Sequence, residues 1–311
     1  MWHPPPAVAG TRVFTRLPDA FRRPGRRSAW AEANKQRPLH SFLEGPAFDE
    51  AGNLFVADIP WGRIFRVAPD GAWTLVTEYD GEPNGLAFAP DGTLHIADYR
   101  HGILKLDLAA GKVEPLIERR RSERFKGPND LCFASDGTLY FTDQGQTGLH
   151  DPTGRVYRLT PDGRLDCLID NAPSPNGLAL SADETILVVA MTRDNRIWRI
   201  PLLREGGTAK VHAFVTLSGG TSGPDGLAFD AEGNLSIAHA SLGVVWQVDR
   251  DGLLRRMWRS CAGRGTTNLA YGGVGLATLF ITESETGTIL MADTDVPGKP
   301  LIQRRRREEP Q

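Results

Sequence analysis

Six residues, Glu44, Asn84, Asn129, Asn176, Asp225 and Thr267, occupy the same place in six copies of one phrase, spaced 40, 45, 47, 49 and 42 positions apart. All six carry side-chain oxygen. Carboxylate and amide oxygens gathered in one set are the donors that hard cations select over nitrogen or sulfur. Glu44 and Asp225 would cancel the charge of a divalent ion, while Asn84, Asn129 and Asn176 would add neutral carbonyl oxygens and leave room for water. A single Asn-Gly is a turn signal. Glu44 and Asp225 stand where turn chemistry does not call for a carboxylate, so the set says more than its members.

The phrase itself fixes the elements that position these residues. It runs polar residue, Gly, Leu-Ala-Phe, a turn with Asp-Gly, then an apolar strand ending in Ala-Asp, as in Asn84 to Phe88, Asp91-Gly92 and Leu94 to Asp98. Periods of 40–50 residues signal propellers or solenoids. Each unit holds about four short β-rich segments, in the second unit Gly85 to Phe88, Thr93 to Ala97, Gly102 to Leu108 and Val113 to Ile117. No helical periodicity is sustained. The predicted fold class is all-β, a six-bladed β-propeller with four antiparallel strands per blade. The sixth unit shows three strands and ends near Asp293, so an N-terminal strand, residues 12–17, is predicted to close the last blade and remove an exposed edge. The chain reads as one propeller domain over 1–311. Six repeats fill 44–295, an Arg-rich insertion at 18–43 is long enough to lid the mouth, and 296–311 form a tail, frayed over Arg304 to Pro310.

In a four-stranded meander the polar positions begin the innermost strands on one face, so they must converge on the central channel. The ends of the second strands, Asp58, Asp98, Asp143, Ala190, His239 and Glu283, are expected to form a second ring there, a polar funnel floored by carboxylates. Like charges so close raise each other's pKa, and a divalent cation relieves this. His239 is the imidazole of that ring, able to serve as acid, base or substrate ligand, with a loop histidine bonded to backbone as the alternative. Loop residues Trp61, Tyr99, Gln144, Gln146, Leu149 and Leu242 are expected to line a pocket of mixed polarity, suited to a substrate less polar than a bare sugar.

Composition narrows the classes. With 311 residues, 40% hydrophobic and 24% charged, the chain can bury a large core, and its net charge of -2 gives no reason to expect nucleic acid or an anionic membrane. No apolar run approaches the roughly 20 residues of a bilayer span. The N-terminus lacks a signal-peptide pattern. Three cysteines without close spacing fit neither a disulfide framework nor a zinc site, which reads as a reducing, cytoplasmic setting. No Gly-x-Ser-x-Gly occurs, which argues against a serine esterase.

From about Phe42 to Asp293 the chain resembles the family of senescence marker protein 30, gluconolactonase and luciferin-regenerating enzyme. The motifs that carry the resemblance are Leu43-Glu44-Gly45-Pro46, Gly127-Pro128-Asn129-Asp130, Ser174-Pro175-Asn176-Gly177-Leu178 and Gly223-Pro224-Asp225-Gly226-Leu227. Phe141-Thr142-Asp143 and the stretch Pro152 to Arg158 resemble its bacterial lactonase branch. The resemblance implies a six-bladed propeller with one catalytic divalent cation, calcium first, with zinc, manganese or magnesium as alternatives. It places Glu44, Asn129, Asn176 and Asp225 at metal-ligand positions and makes Asp225 the general base. Asn129 also faces substrate, and Asn84, Tyr99, Asp143 and Gln144 complete the expected substrate contacts. The Arg that some sugar-lactonase members place two residues before the Asn129 position is Gly127 here, which departs from an aldonolactone site.

The reaction these residues suit is hydrolytic opening of a lactone or ester, the cation polarising the carbonyl and activating water, with Asp225, Asn129 and His239 as catalytic candidates. The expected partner is a small-molecule substrate, and the expected assembly a monomer or small homo-oligomer. A non-catalytic propeller that binds a ligand or partner around a structural cation is the competing class. A condensing enzyme of strictosidine-synthase type is a third, disfavoured by the acidic ring.

Overall fold

Each Asp-Gly pair of the phrase forms the reversal between the first two strands of a blade. In blade 2 the Asp91 carboxylate accepts the Thr93 N–H at 2.9 Å and Gly92 takes φ +86°, the left-handed geometry that a glycine adopts without steric cost. The computed structural model describes residues 5–35 and 37–303. Six antiparallel meanders follow one another. Their inner strands are Leu43–Phe48, Pro83–Phe88, Pro128–Phe133, Pro175–Leu180, Pro224–Phe229 and Thr266–Gly272. The second strands are Leu54–Asp58, Leu94–Asp98, Leu139–Asp143, Ile186–Met191, Leu235–His239 and Thr278–Glu283. The result is the six-bladed propeller that the repeat predicts.

The core is split into wedges between neighbouring blades. Phe55 and Ile64 of blade 1 pack with Leu86 and Phe88 of blade 2, and Val188 and Ile197 of blade 4 pack with Leu227 and Ile237 of blade 5. Because the second strands are covered on both faces, they read as nearly unbroken apolar runs.

Closure comes from the N-terminus, as expected. Arg12–Arg16 pairs antiparallel with Thr288–Asp293, the third strand of blade 6. Phe14 meets Phe280 edge-on at 5.1 Å, and Arg12 forms a two-pronged ion pair with Asp293 at 2.7 Å. A second N-terminal strand was not legible in the repeat: Ala7–Gly10 adds in parallel to the outer strand of blade 5, Leu254–Arg259. Thr11 sits between the two, its N–H donating to the Arg259 carbonyl at 2.9 Å and its Oγ1 accepting the Cys261 N–H at 3.0 Å. The N-terminal segment therefore straddles the seam between blades 5 and 6.

The other end of the chain crosses beneath the channel. The Lys299 N–H donates to the Phe229 carbonyl, and its ammonium donates to the Leu180 carbonyl at 3.1 Å. A cavity of 250 Å³ remains above this segment, walled by apolar inner-strand residues. The Arg304 to Pro310 stretch, expected to fray, lies outside the described residues. No helix among them is long and apolar enough to cross a membrane.

Phe14→Ala removes half-buried aromatic packing from the closing strand and should lower unfolding free energy by about 2 kcal/mol. Val8→Ala, at a side chain 58% exposed, should stay within about 0.5 kcal/mol in the same denaturant titration.

Candidate functional site

Every inner strand carries one extra residue at or beside its polar position. In blade 2 Pro83 pairs with Asp98, but the next pair is Leu86 with Ile96, and the same slip recurs in all six blades. Such a bulge releases one residue from the ladder and re-aims its side chain. In blades 2 to 6 it frees the polar residue from the ladder, while in blade 1 Glu44 still pairs with Ala57 and the extra residue falls just after it.

A second device fixes the start of these strands. The carboxylate ending the second strand accepts the N–H of the residue two before the polar position: Asp58 from Phe42 at 2.7 Å, Asp98 from Glu82 at 2.9 Å, Asp143 from Gly127 at 2.8 Å and Glu283 from Gly265 at 3.2 Å. The residue after each carboxylate returns the bond, as Tyr99 N–H does to the Glu82 carbonyl at 3.0 Å. Asp98 also accepts from the N–H groups of Arg100 and His101 and from the Tyr79 hydroxyl. Asp58 is further engaged by the buried Arg63. The expected second ring is thus no funnel floor, because backbone amides occupy its carboxylates. This removes Asp143 from the substrate contacts: it is fully buried and its Oδ1 is committed to Gly127, while its Oδ2 has no partner among the described residues.

His239 is likewise withdrawn from the channel. The ring is fully buried, its Nδ1 accepts the Trp246 Nε1–H at 3.0 Å, and its Nε2 faces the Gly219–Gly220 turn without a full hydrogen bond. Burial pushes its pKa down to about 4. A neutral imidazole sealed under a turn cannot exchange protons with a substrate, so the catalytic candidacy of His239 fails.

The first ring does converge. Glu44 and Asp225 are buried, and Glu44 accepts its own Gly45 N–H at 2.8 Å and the Asn268 amide at 3.0 Å. Burial holds the Glu44 carboxyl up at about 6. Asp225 is raised well above the ordinary range by burial and then by the charge of Glu44, with the Asn176 amide hydrogen-bonded to it. The Asn129 Nδ2 donates to the Gln144 Oε1 at 2.9 Å, and Gln144 in turn donates to the Ser174 hydroxyl at 3.0 Å. This fixes the Asn129 amide with its Oδ1 left over. Asn84 keeps its ring place, buried and beside Glu44's strand. Thr267 stays beside the ring without offering a ligand oxygen: its hydroxyl contacts the Leu43 carbonyl at 3.0 Å and its side chain hydrogen-bonds to Glu44.

Two residues one step further along the inner strand, Asp130 and Asn268, were not foreseen. Four of the six repeats have glycine there, Gly45, Gly85, Gly177 and Gly226. A Cβ on Gly85 would stand 2.4 Å from the Asp130 carboxylate, and one on Gly226 would stand 1.9 Å from the Asn268 amide. These glycines make room for Asp130 and Asn268 to reach across the channel. Asp130 is pushed up to about 8 by burial and by Glu44. Three carboxylates thus share one desolvated space. The departure from glycine was the available signal.

The insertion contributes the roof edge. Helix Ala29–Asn34 packs through Trp30 and Ala31 on Phe42 and Ile59, and the Asn34 Oδ1 accepts from Gln146, which also donates to the Tyr99 hydroxyl at 2.7 Å. Lys35 follows the helix. Desolvation lowers its ammonium's pKa, while Asp225 and Glu44 act to raise it. Trp61, expected in the pocket, instead anchors the insertion: its Nε1–H donates to the His40 carbonyl at 3.1 Å, and Arg23 and Arg26 cover its ring. The cavity at the mouth, 510 Å³, is lined mainly by polar groups including Asn34, Gln144, Gln146, Ser174 and Arg193. Of the expected lining it takes Gln144, Gln146 and Leu149. Gly127, where the family resemblance leads one to look for Arg, has Tyr99 ring atoms 2.5–2.7 Å from where its Cβ would be, so Tyr99 takes that space.

Residues 42–285 match the family profile described as SMP-30/Gluconolactonase/LRE-like region. Over 273 residues the chain is 31% identical to a gluconolactonase of Zymomonas mobilis, covering 78% of this chain and 76% of that one. It is 32% identical over 237 residues to lactonase drp35 of Staphylococcus aureus, covering 72% and 70%. The fold aligns with that of a calcium-binding regucalcin from Agrobacterium tumefaciens at TM-score 0.75 and 23% identity, covering 95% and 98%. That last likeness speaks for the fold.

Asp98→Ala strips four hydrogen bonds from a buried strand end and should cost about 3 kcal/mol in urea unfolding, with divalent-cation affinity left within about twofold. For His239 the folded pKa lies below the unfolded value. Its stabilising contribution is therefore present above about pH 6.5 and lost as pH falls toward 4. Between pH 7 and 4.5 wild type should lose about 2 kcal/mol more than His239→Gln, read from urea midpoints at both pH values.

Proposed function

Because the chain belongs to the SMP-30/gluconolactonase/LRE-like family, we propose that it is a divalent-metal-dependent lactonase with Asp225 as its base. The observation that carries this reading is the deprived state of Asp225. It shares one buried space with Glu44 and Asp130, which repel it; Glu44 and Asp130 each draw on several hydrogen-bond donors, whereas Asp225 has the single amide of Asn176. The donor chemistry fits a hard cation: two carboxylates, Glu44 and Asp225, with amide oxygens from Asn176 and Asn129 and no sulfur or imidazole. Among the described residues no group of three or more His, Cys, Asp or Glu side chains forms a metal cluster, consistent with a set half made of amides. Calcium suits such oxygen-rich, loosely packed donors best, ahead of zinc, manganese or magnesium.

A cation held there supplies Lewis-acid polarisation of the lactone carbonyl and acidification of water. The protein supplies the rest. Asp225 takes the proton of the attacking water as its oxygen bonds to the carbonyl carbon. Burial raises the proton affinity of Asp225 and so offsets the lowering that a neighbouring cation imposes. When the ring C–O bond breaks, that proton passes to the departing alkoxide, leaving a hydroxy acid. Gln144 holds the Asn129 amide, so that its Oδ1 is oriented before substrate arrives. Tyr99 and Gln146 flank the approach, and the helix Ala29–Asn34 roofs it. The gluconolactonase and lactonase relatives support a lactone as the substrate class.

The test is hydrolysis of a lactone panel, followed with a pH indicator, with and without chelator. Chelation should abolish turnover and calcium restore it, while Asp225→Ala and Asn129→Ala should each lower kcat at least about 100-fold. Calcium at 100 times its Kd should stabilise wild type by about 2.7 kcal/mol. Asp225→Asn should lose that gain without being less stable than wild type in chelator, because it removes a buried charge. Full turnover after metal stripping would overturn the metal-dependent mechanism, and no turnover on any lactone would leave the propeller a binding module.

A further inference from the structure

Lys35 is a cation that no repeat supplies, set against the acidic ring by the insertion. Its ammonium lies 4.4 Å from the Phe42 ring centroid and 5.7 Å from that of Trp30. It interacts with the carboxylates of Asp225 and Glu44 and with the guanidinium groups of Arg193 and Arg37. No carboxylate stands within ion-pairing distance of Lys35 or Arg193 among the described residues, and Asp194, next to Arg193, pairs with Arg196. Arg193 lines the 510 Å³ mouth cavity together with Gln144, Gln146, His150 and Ser174, and Leu149 is the cavity's one large apolar side chain.

This arrangement is lopsided once the ring is neutralised. When a divalent ion cancels the charges of Glu44 and Asp225, Arg193 in the cavity wall and Lys35, one residue beyond the lining Asn34, are left facing each other with like charge. An anion entering the cavity relieves that repulsion and gains charge-assisted hydrogen bonds. The amides of Gln144 and Gln146, already tied to Ser174 and Tyr99, present fixed polar walls to a hydroxylated molecule. We propose that the substrate is a polar lactone bearing an anionic substituent, a carboxylate in the first instance, away from the ring ester, and that Lys35, seconded by Arg193, is the positioning residue that receives it. The inference rests on the lactonase reading and specifies its substrate class.

The experiment compares glucaro-1,4-lactone, which carries a free carboxylate, with glucono-1,4-lactone, which carries a hydroxymethyl group in its place. Calcium-loaded wild type should prefer the former about tenfold in kcat/KM, chiefly through KM. Lys35→Met should bring the preference to within about twofold, and Lys35→Arg should restore most of it. Calorimetric binding of the open products, glucarate against gluconate, gives a readout independent of turnover: the extra carboxylate should tighten binding about tenfold in wild type and not in Lys35→Met. No preference in wild type, or a preference that survives in Lys35→Met, overturns the proposal. So does a Lys35→Met protein that only binds calcium more tightly, which would make Lys35 a mere counter-ion for the empty ring. If neither lactone is hydrolysed the lactonase reading falls, and the calorimetry still decides the anion site.

Discussion

The interaction that sets the channel's frame is the exchange of hydrogen bonds between a strand-end carboxylate and the backbone just ahead of the inner strand in four of the six blades. Asp58, Asp98, Asp143 and Glu283 each accept the N–H two residues before the polar position. With the chain pinned there, the following bulge has a fixed origin and the polar side chain has a fixed aim. Two populations of buried carboxylate result. Asp98 and Glu283 are supplied with four donors each. Asp225 has a single neighbouring amide. A buried anion with donors is a structural part; one without them is costly unless something positive joins it. That contrast separates scaffold from site more sharply than residue type does.

The fold was legible because three independent signals agreed: a 40–50-residue period, Asp-Gly reversals and apolar second strands. The first ring was legible because its members share a position in the repeat. The second ring shared a position equally well and was misread. Alternation puts a side chain on a face but does not reveal which backbone amide waits there, so Asp143 and His239 looked like site residues. Asp130 and Asn268 were overlooked for the opposite reason, being departures from a glycine consensus that drew no attention. Lys35 and the strand Ala7–Gly10 lie outside the repeats, where nothing periodic points to them. Trp61 shows the limit of loop reasoning: an aromatic on the functional face serves as the seat of the insertion.

The channel is asymmetric along its axis. At one end polar groups, bulges and the insertion meet; at the other, inner strands end in Phe48, Phe88, Phe133 and Phe229 and the C-terminal segment passes across. Between them Asp130 and Asn268 span the bore. Arg193 lies at the polar end, in the wall of the mouth cavity.

The closing strand has a consequence for how the chain comes into being. Arg12 and Asp293 bond across 281 positions, so the closing strand waits through the synthesis of all six repeats for its partner. Throughout synthesis Arg12–Arg16 is an unpaired edge, able to recruit the wrong neighbour. Arg12 and Arg16, both exposed at its two ends, give it the charge that discourages such pairing. The salt bridge of Arg12 with Asp293 then turns a guard against misassembly into the latch of the finished ring.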